Sequence, residues 1–349
     1  MRYYAGLDVS MAETSICVVN EEGTILREGK ALSEPEAIAT WLAELHVPFT
    51  RVGLETGALA GWLAEEMIEL GVPGVVCMDA RHARAAMTAM THKTDRNDAR
   101  DLAQMLRTGW FREVHVKTRS TMELRTLLTS RKTLVLKIGD IENQIRGSLC
   151  LFGIKIGSSK RRTFAERVRD LTQNLPRVAM ILEELLTAHA AMLHSLDRIN
   201  RMVLVIAREH EVCRRLMTVP GVGAIVALTY IAAIEDPARF SKSRSVGALL
   251  GMVPRKHQSG EVDRNGRITK TGDSEARSML FEAAHVMLHR VKSWSVLRAW
   301  GVKLAGRQGN KRATVALARK IAVVMHRMWV DGTTFRFSAA GNPSASARA

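Results

Sequence analysis

The stretch RYYAGLDVSMAETSICVVNEEGTILREGKALSEPEAIATWLAELHVPFTRVGLETGALAGWLAEEMIELGVPGVVCMD (residues 2–79) decides the fold. Three short β-rich runs open it, at 2–9 (RYYAGLDV), 14–20 (TSICVVN) and 24–31 (TILREGKA), with Glu22-Gly23 as the turn between the second and third. Residues 34–46 have the apolar spacing of an amphipathic helix, with Ser33 expected as its N-cap and Pro35 in its first turn, where a missing N–H costs nothing. A strand at 50–55, a helix at 58–70 and a strand at 74–79 follow, and a helical stretch at about 94–108 completes the unit.

The order β-β-β-α-β-α-β-α, a meander followed by right-handed crossovers, is that of a ribonuclease H-like α/β fold. Past Val116 the pattern changes. Residues 120–150 have helical periodicity, and LFGIKIGSSKRR (151–162) is a Gly/Ser/Lys interruption. Residues 178–216 read as one long helix, with Met180, Leu185, Leu186, Met192, Leu193, Leu196, Ile199 and Val203 on a recurring stripe. The two stretches read as a coiled-coil arm suited to dimerisation, or equally as an ordinary bundle. From 218 a helical region is followed by a polar, glycine-containing stretch (254–273) and by helices at 274–290 and 311–330. The expected organisation is therefore an α/β domain over 1–118, a helical arm over 119–216, a mainly helical domain over 217–335 and a disordered tail over 336–349.

Charge is distributed unevenly. Residues 1–118 hold 12 Lys+Arg against 17 Asp+Glu, while the rest of the chain carries a surplus of 21 positive charges within an overall +16. An acidic third joined to a basic remainder suits metal chemistry in one part and a polyanion in the other. No basic amphipathic helix with aromatic anchors argues for a membrane surface, and no run of apolar residues is long enough to span one. The opening residues read as a strand and not as a signal peptide, so a cytoplasmic protein is expected. Cys17, Cys77, Cys150 and Cys213 lack CxxC spacing and read as reduced thiols.

Asp8 ends the first expected strand and Glu55 the fourth, which are parallel neighbours in such a sheet. Asp95 and Asp98, in KTDRNDAR, are spaced i and i+3 and share one face of a helical turn. Four converging carboxylates raise one another's pKa values unless divalent metal neutralises them, and Mg²⁺ suits an all-oxygen site, with two ions able to stabilise both reacting oxygens of a phosphate. Singly, each acid is an ordinary turn former, cap or solvated charge; Glu55 could cap the helix after it. An actin-like ATPase shares the opening pattern, but VSMAETS follows Asp8 where that fold needs a glycine-rich phosphate loop.

In the basic remainder, VPGVG (219–223) resembles the turn of a helix-hairpin-helix, whose glycines, here Gly221 and Gly223, let backbone N–H groups approach a phosphate. The bland alternative is a turn that packs a core. PRKHQSGEVDRNGRITKTGDSEAR (254–277) sets Ser259 among Arg255, Lys256, Arg264, Arg267, Lys270 and Arg277. A serine there can act as a phosphoryl-transfer nucleophile, with the cations stabilising the transition state, although a serine in a polar loop is ordinarily just solvated.

Taken together, LDVS, GLETGA and KTDRNDA, then VPGVG, GALLGMVPRKHQSG and ITKTGDSEAR, resemble the DEDD transposases of bacterial insertion sequences, the one-ten family that includes the Piv-type DNA invertases. The resemblance implies a RuvC-like N-terminal domain whose tetrad, matched here by Asp8, Glu55, Asp95 and Asp98, binds Mg²⁺, with Mn²⁺ able to substitute. It implies a nucleophilic serine in an SG motif, matched by Ser259, and a covalent phosphoserine link to DNA. It also implies a structured noncoding guide RNA that pairs with element-end and target DNA. Assembly as a dimer or tetramer would combine the tetrad of one subunit with the serine of another. The chain departs from the pattern after KTG, where Asp273 and Glu275-Ala276-Arg277 stand in place of Asn and an apolar-Arg pair; the phosphate contacts of that helix are the part this puts in doubt. The rivals are a RuvC-like nuclease that hydrolyses branched DNA with water and has no use for Ser259, and a non-catalytic nucleic-acid-binding protein.

Overall fold

Strands β1 (Tyr3–Val9), β2 (Glu13–Asn20) and β3 (Ile25–Leu32) form an antiparallel meander, with Gly23 at φ +89° turning the chain between β2 and β3. The structure is a computed structural model and describes residues 1–87, 94–259 and 262–338. After α1 (Pro35–Ala43), strand β4 (Phe49–Glu55) pairs parallel to β1; after α2 (Ala60–Glu69), β5 (Val75–Met78) pairs parallel to β4. Helices α3 (Ala80–Met87) and α4 (Asp95–Thr108) lead to a short strand β6 (Glu113–Val114), antiparallel to β5. The sheet order is β3-β2-β1-β4-β5-β6.

Side chains alternate between the two faces of a strand, and here both faces are buried. Ala5, Leu7, Ile16, Val18, Val52 and Leu54 pack on Ile38 and Leu42 of α1 and on Leu63 and Met67 of α2. Tyr4, Cys17 and Val19 pack on Ala99, Leu102, Ala103 and Leu106 of α4. Each fully buried Leu is worth about 1.5–3 kcal/mol against exposure.

Ser33 does not cap α1. It is buried, its hydroxyl donating to the Ser10 carbonyl at 2.9 Å and bonded to Thr14 Oγ1 at 2.8 Å, while Glu34 takes the N-cap position without a side-chain bond. The polar pair fastens the β3 end to the β1–β2 turn. Helix α3 and strand β6 were not expected from the sequence.

The chain divides into two compact units, Met1–Ser120 and Thr121–Ala349. The second is mainly helical: α5 (Arg119–Cys150), α6 (Phe164–Thr172), α7 (Pro176–Glu209), α8 (Glu211–Leu216), α9 (Ala224–Ile234) and α10 (Val246–Leu249) precede a hairpin, β7 (Pro254–Ser259) and β8 (Val262–Ile268), and α11 (Ser274–His289), α12 (Val296–Gln308) and α13 (Asn310–Asp331) follow. Its core surrounds α9, whose buried Tyr230 donates to the Ala322 carbonyl of α13 at 2.7 Å. Leu128 of α5 and Val203 and Ala207 of α7 belong to that same core, so residues 119–216 and 217–335 share packing. A separate core holds Ile145, Leu149, Phe164, Val168, Leu182 and Leu186. Beside it the buried His189 meets Glu142 at 3.2 Å.

The single helix expected over 178–216 is two. The chain turns extended at His210, whose Nδ1 accepts from the Cys213 N–H and caps α8. Of the expected stripe, Leu186, Leu196 and Val203 are buried and Met180 is exposed. The expected polar stretch at 254–273 forms the β7–β8 hairpin. Helices α6 and α12 were also not expected. Most of the tail, residues 339–349, lies outside the described residues. No helix among the described residues is long and apolar enough to cross a membrane.

Candidate catalytic site and nucleic-acid interface

Two Gly-Leu-acid triplets, Gly6-Leu7-Asp8 and Gly53-Leu54-Glu55, end adjacent parallel strands in matching register, with Gly6 opposite Gly53 and Leu7 opposite Leu54. The leucines enter the core under α1 and α2. The glycines lie under α4: a Cβ on Gly6 would fall 2.2 Å from the Ala99 carbonyl oxygen and 2.4 Å from the Ala103 nitrogen, and one on Gly53 would fall 2.7 Å from Leu106. Residues two apart share a face. Asp8 and Glu55 therefore stand side by side at the carboxyl ends of β1 and β4, on the α4 face, where open α/β sheets bind ligands.

Asp95 and Asp98 occupy the first turn of α4, just before its Ala99–Ala103 contact with Gly6. Thr94 caps that helix, accepting from the Asn97 N–H at 3.2 Å. Arg96 and Arg100, interleaved with the two acids, hold Glu28 of β3 and fix the turn against the sheet; Arg96 Nε lies 2.8 Å from Glu28 Oε2. The hydrogen bond from Arg100 keeps the Glu28 carboxyl down at about 2. Beside them, burial pushes the Cys17 thiol up to about 12, with Glu28 adding to it. Asp101, a fifth acid absent from the expected tetrad, is raised in pKa first by burial and then by the negative charge of Asp98. Its spacing of i+3 from Asp98 is the sequence signal that marks it.

Glu55 does not occupy the N-cap position of α2, which is Leu59, immediately before Ala60. The β1–β2 turn is closed by Ser10, whose hydroxyl donates to the Glu13 carbonyl at 2.6 Å. Among the described residues no three His, Cys, Asp or Glu side chains already form a metal-holding group. An all-carboxylate donor set nevertheless matches a hard divalent cation, and the pairing of Asp8 with Glu55 at one sheet edge suits it.

Ser259 is exposed as the last residue of β7, paired with Val262; Gly260 of the SG motif lies outside the described residues. Register puts Lys256 opposite Asn265 and Gln258 opposite Asp263, and Lys256 bridges diagonally to Asp263 at 3.1 Å. Arg264 belongs to the other set of pairs, with Ser259, and it and Arg267 are exposed. The hairpin's base is closely packed. Gly251 at φ +65° lies against the Thr271 backbone, and Gly272 at φ +89° lies against the Leu249 carbonyl, where a Cβ would come within 1.8 Å. Lys270 itself holds φ +57° and is exposed.

Two of the expected nucleic-acid contacts, Arg277 and Gly221, also have internal duties. Arg277 donates to the Leu250 carbonyl at 2.9 Å, tying α11 to the turn before β7. Gly221, at φ +85°, is required by close approach to the Ala283 carbonyl of α11, the packing alternative for VPGVG. Gly223 is exposed with open space around it at the start of α9. Arg255 reaches the Thr269 carbonyl at 3.4 Å and remains exposed. The departure at Asp273 is also explained. Its carboxylate caps α11, accepting from the Glu275 and Ala276 N–H groups at 3.0 and 2.9 Å, and pairs with Arg125 of α5 at 2.6 Å. Burial pushes its pKa up, but the Ala276 N–H and Arg125 outweigh it and the net shift is downward. With Lys132 holding Glu275, the start of α11 is occupied by the chain's own charges.

A DEDD-type IS110 transposase model matches residues 5–153, and a model described as the transposase IS116/IS110/IS902 family matches residues 213–299. The transposase for insertion sequence element IS1111A of Coxiella burnetii is 30% identical over 65% of this chain and 64% of its own length. A probable family 20 transposase of Pseudomonas aeruginosa is 28% identical over 64% of this chain and 68% of its own. The pilin gene-inverting protein of Moraxella bovis is 29% identical over 32% of this chain and 34% of its own. The chain thus spans a little under two thirds of the Coxiella protein. The two family models cover α4 and the β7–β8 hairpin in order along one chain, and on that basis it belongs to the IS110/IS116/IS902 family of DEDD-type bacterial insertion-sequence transposases.

Proposed function

We propose that the protein cuts and rejoins DNA at the ends of an insertion element, with Ser259 as nucleophile and Asp8, Glu55, Asp95 and Asp98 as the metal-binding tetrad of a ribonuclease H-like, RuvC-type domain. The observation that carries this is the paired Gly-Leu-acid ending of β1 and β4 beneath the helix that bears the other two acids. The β3-β2-β1-β4-β5 strand order supports the fold assignment.

In this reading the Ser259 hydroxyl attacks the scissile phosphorus and gives up its proton. The bond from phosphorus to the departing DNA oxygen breaks, and that oxygen leaves as a hydroxyl. A phosphoserine remains until the hydroxyl of another DNA end attacks it and restores Ser259. Each step exchanges one phosphate ester for another, so no ATP is consumed. Divalent metal, Mg²⁺ by preference, would polarise the phosphate oxygens and stabilise charge on the attacking and leaving groups. Arg264, in the Ser259 set of pairs, and Arg267 neutralise the phosphate. Serine and tetrad belong to different units, so catalysis requires both at one phosphate, in an oligomer by the family resemblance. A structured guide RNA enters on the same resemblance, and the positive surplus beyond residue 118 supports it. The setting is the bacterial cytoplasm.

Incubation with element-end DNA, guide RNA and Mg²⁺, followed by a denaturing gel, tests the proposal. Protein covalently attached to DNA is the expected result. Cleaved DNA without an adduct would assign the reaction to water and the chain to the nuclease alternative.

A further inference from the structure

Residues 283–330 contain ten Lys and Arg and no Asp or Glu. Four of these cations crowd one corner. Lys303 and Arg307 lie one turn apart near the end of α12, and Lys311 and Arg312 lie in the first turn of α13, across Gly309. All four are exposed, and none makes an ion pair among the described residues; Asp331, the nearest acid after them, is bonded to Arg327.

Arg307 suits the carboxyl end of the α12 dipole, but like charges at i and i+4 repel, and Lys311 and Arg312, in the first turn of α13, sit at the wrong end of its dipole. Such a concentration is relieved by a polyanion. Residues 301–313 contain no aromatic side chain, and Trp300 just before them is half-buried with Lys320 over its ring, so the corner offers no open platform on which an unpaired base could stack. Cations without an aromatic partner suit the phosphate backbone of a duplex, read without regard to sequence. The corner lies beyond residues 213–299, the part matched by the C-terminal family model.

We propose that the α12–α13 corner, through Lys303, Arg307, Lys311 and Arg312, grips the backbone of duplex DNA at a place separate from the Ser259 hairpin. The proposal rests on the reading that the protein acts on DNA.

The test is fluorescence anisotropy of the full chain with a duplex of roughly 30 base pairs and, separately, an RNA hairpin of similar size, titrated across salt. In K303Q/R307Q/K311Q/R312Q the slope of log affinity against log salt on duplex DNA should fall by about 4, roughly one per cation. The loss of affinity should be greater on DNA than on RNA, and the melting temperature should be unchanged or higher. An unchanged slope on DNA overturns the proposal; an equal or larger loss on the RNA hairpin overturns the assignment to DNA. Should the quadruple variant fail to fold, K303Q/R307Q and K311Q/R312Q should each lower the slope by about 2. The anisotropy reads binding alone, so failure of the serine chemistry stays distinct from failure of the corner. A wild-type chain that binds no duplex at all would defeat the underlying DNA reading.

Discussion

Gly6→Ala should both destabilise the N-terminal unit and disturb the tetrad. Its Cβ would lie 2.2 Å from the Ala99 carbonyl oxygen, where ordinary contact begins at 3.4 Å, so α4 must retreat by about 1.2 Å. The obstructing atoms are helix backbone and have no rotamer to escape into. Overpacking of this kind costs ~1–3 kcal/mol, and the retreat also loosens the burial of Leu102 and Leu106, so the upper end, about 3 kcal/mol, is expected. For a unit of this size that lowers the melting temperature by roughly 10 °C. Gly53→Ala is the internal control. Its Cβ meets the Leu106 side chain at 2.7 Å, and a side chain can shift, so the loss should be smaller. Thermal melts followed by circular dichroism measure both. A Gly6→Ala melt within about 2 °C of wild type, or a Gly53→Ala variant that is the less stable of the two, would refute the claim that α4 backbone sets this contact.

Gly139→Ala, in the middle of α5 with nothing within 4 Å of its Cβ, should stabilise by about 0.5–1 kcal/mol, read as a raised denaturation midpoint. Glu28 has a folded pKa of about 2, below the ~4.3 of a free Glu, so its pairing with Arg100 and Arg96 stabilises fully above ~pH 4.3 and is lost as pH falls towards 2. Glu28→Gln should therefore lower stability at neutral pH and flatten the acid limb in that window, and an unaltered acid limb would contradict the pairing. Asp98→Asn should reduce strand cleavage by roughly 10³-fold or more while nucleic-acid affinity stays near wild type, and wild-type cleavage rates would remove Asp98 from the site. Ser259→Ala should lose the covalent adduct with Mg²⁺ affinity at the tetrad unchanged; calorimetry for the metal and a denaturing gel for the adduct separate the two.

The sheet was legible because β1, β2 and β4 have apolar residues on both faces between clear turns, and a sequence of that kind has few topologies open to it. What escaped was local and polar. ARHARAAM, now α3, has too little apolar character to announce a helix, and β6 is a two-residue pairing that only Cys77 and Met78 of β5 define. Ser33 had the composition of a cap, but a buried Thr14 competed for its hydroxyl and a tertiary bond won. The break at His210 was hidden for a related reason. The apolar rhythm continues through Cys213 and Leu216, both buried, although the backbone has already turned to start a new helix.

The two halves of the candidate site differed in legibility for a physical reason. At Asp8 and Glu55 the same residues that build the core also aim the acids. A glycine is demanded by α4, a leucine by α1 and α2, and strand parity then leaves only one face for the next side chain. The placement of the two acids side by side could thus be read from the strand ends. Ser259 has no such constraint. Its hairpin is exposed at most of its described side chains and has only Pro254, Val262 and Ile268 as apolar residues, so its strands show no alternation to read, and chemistry alone left the serine indistinguishable from a solvated one. What fixes the hairpin is at its base, where Gly251 and Gly272 interlock backbone to backbone. Gly272→Ala should therefore displace the hairpin's attachment without touching any residue of β7 or β8. The expected signature is loss of the serine adduct with metal binding at the tetrad intact, measured on protein whose α9 core still melts cooperatively. An adduct formed at the wild-type rate by Gly272→Ala would mean that the base does not position the serine.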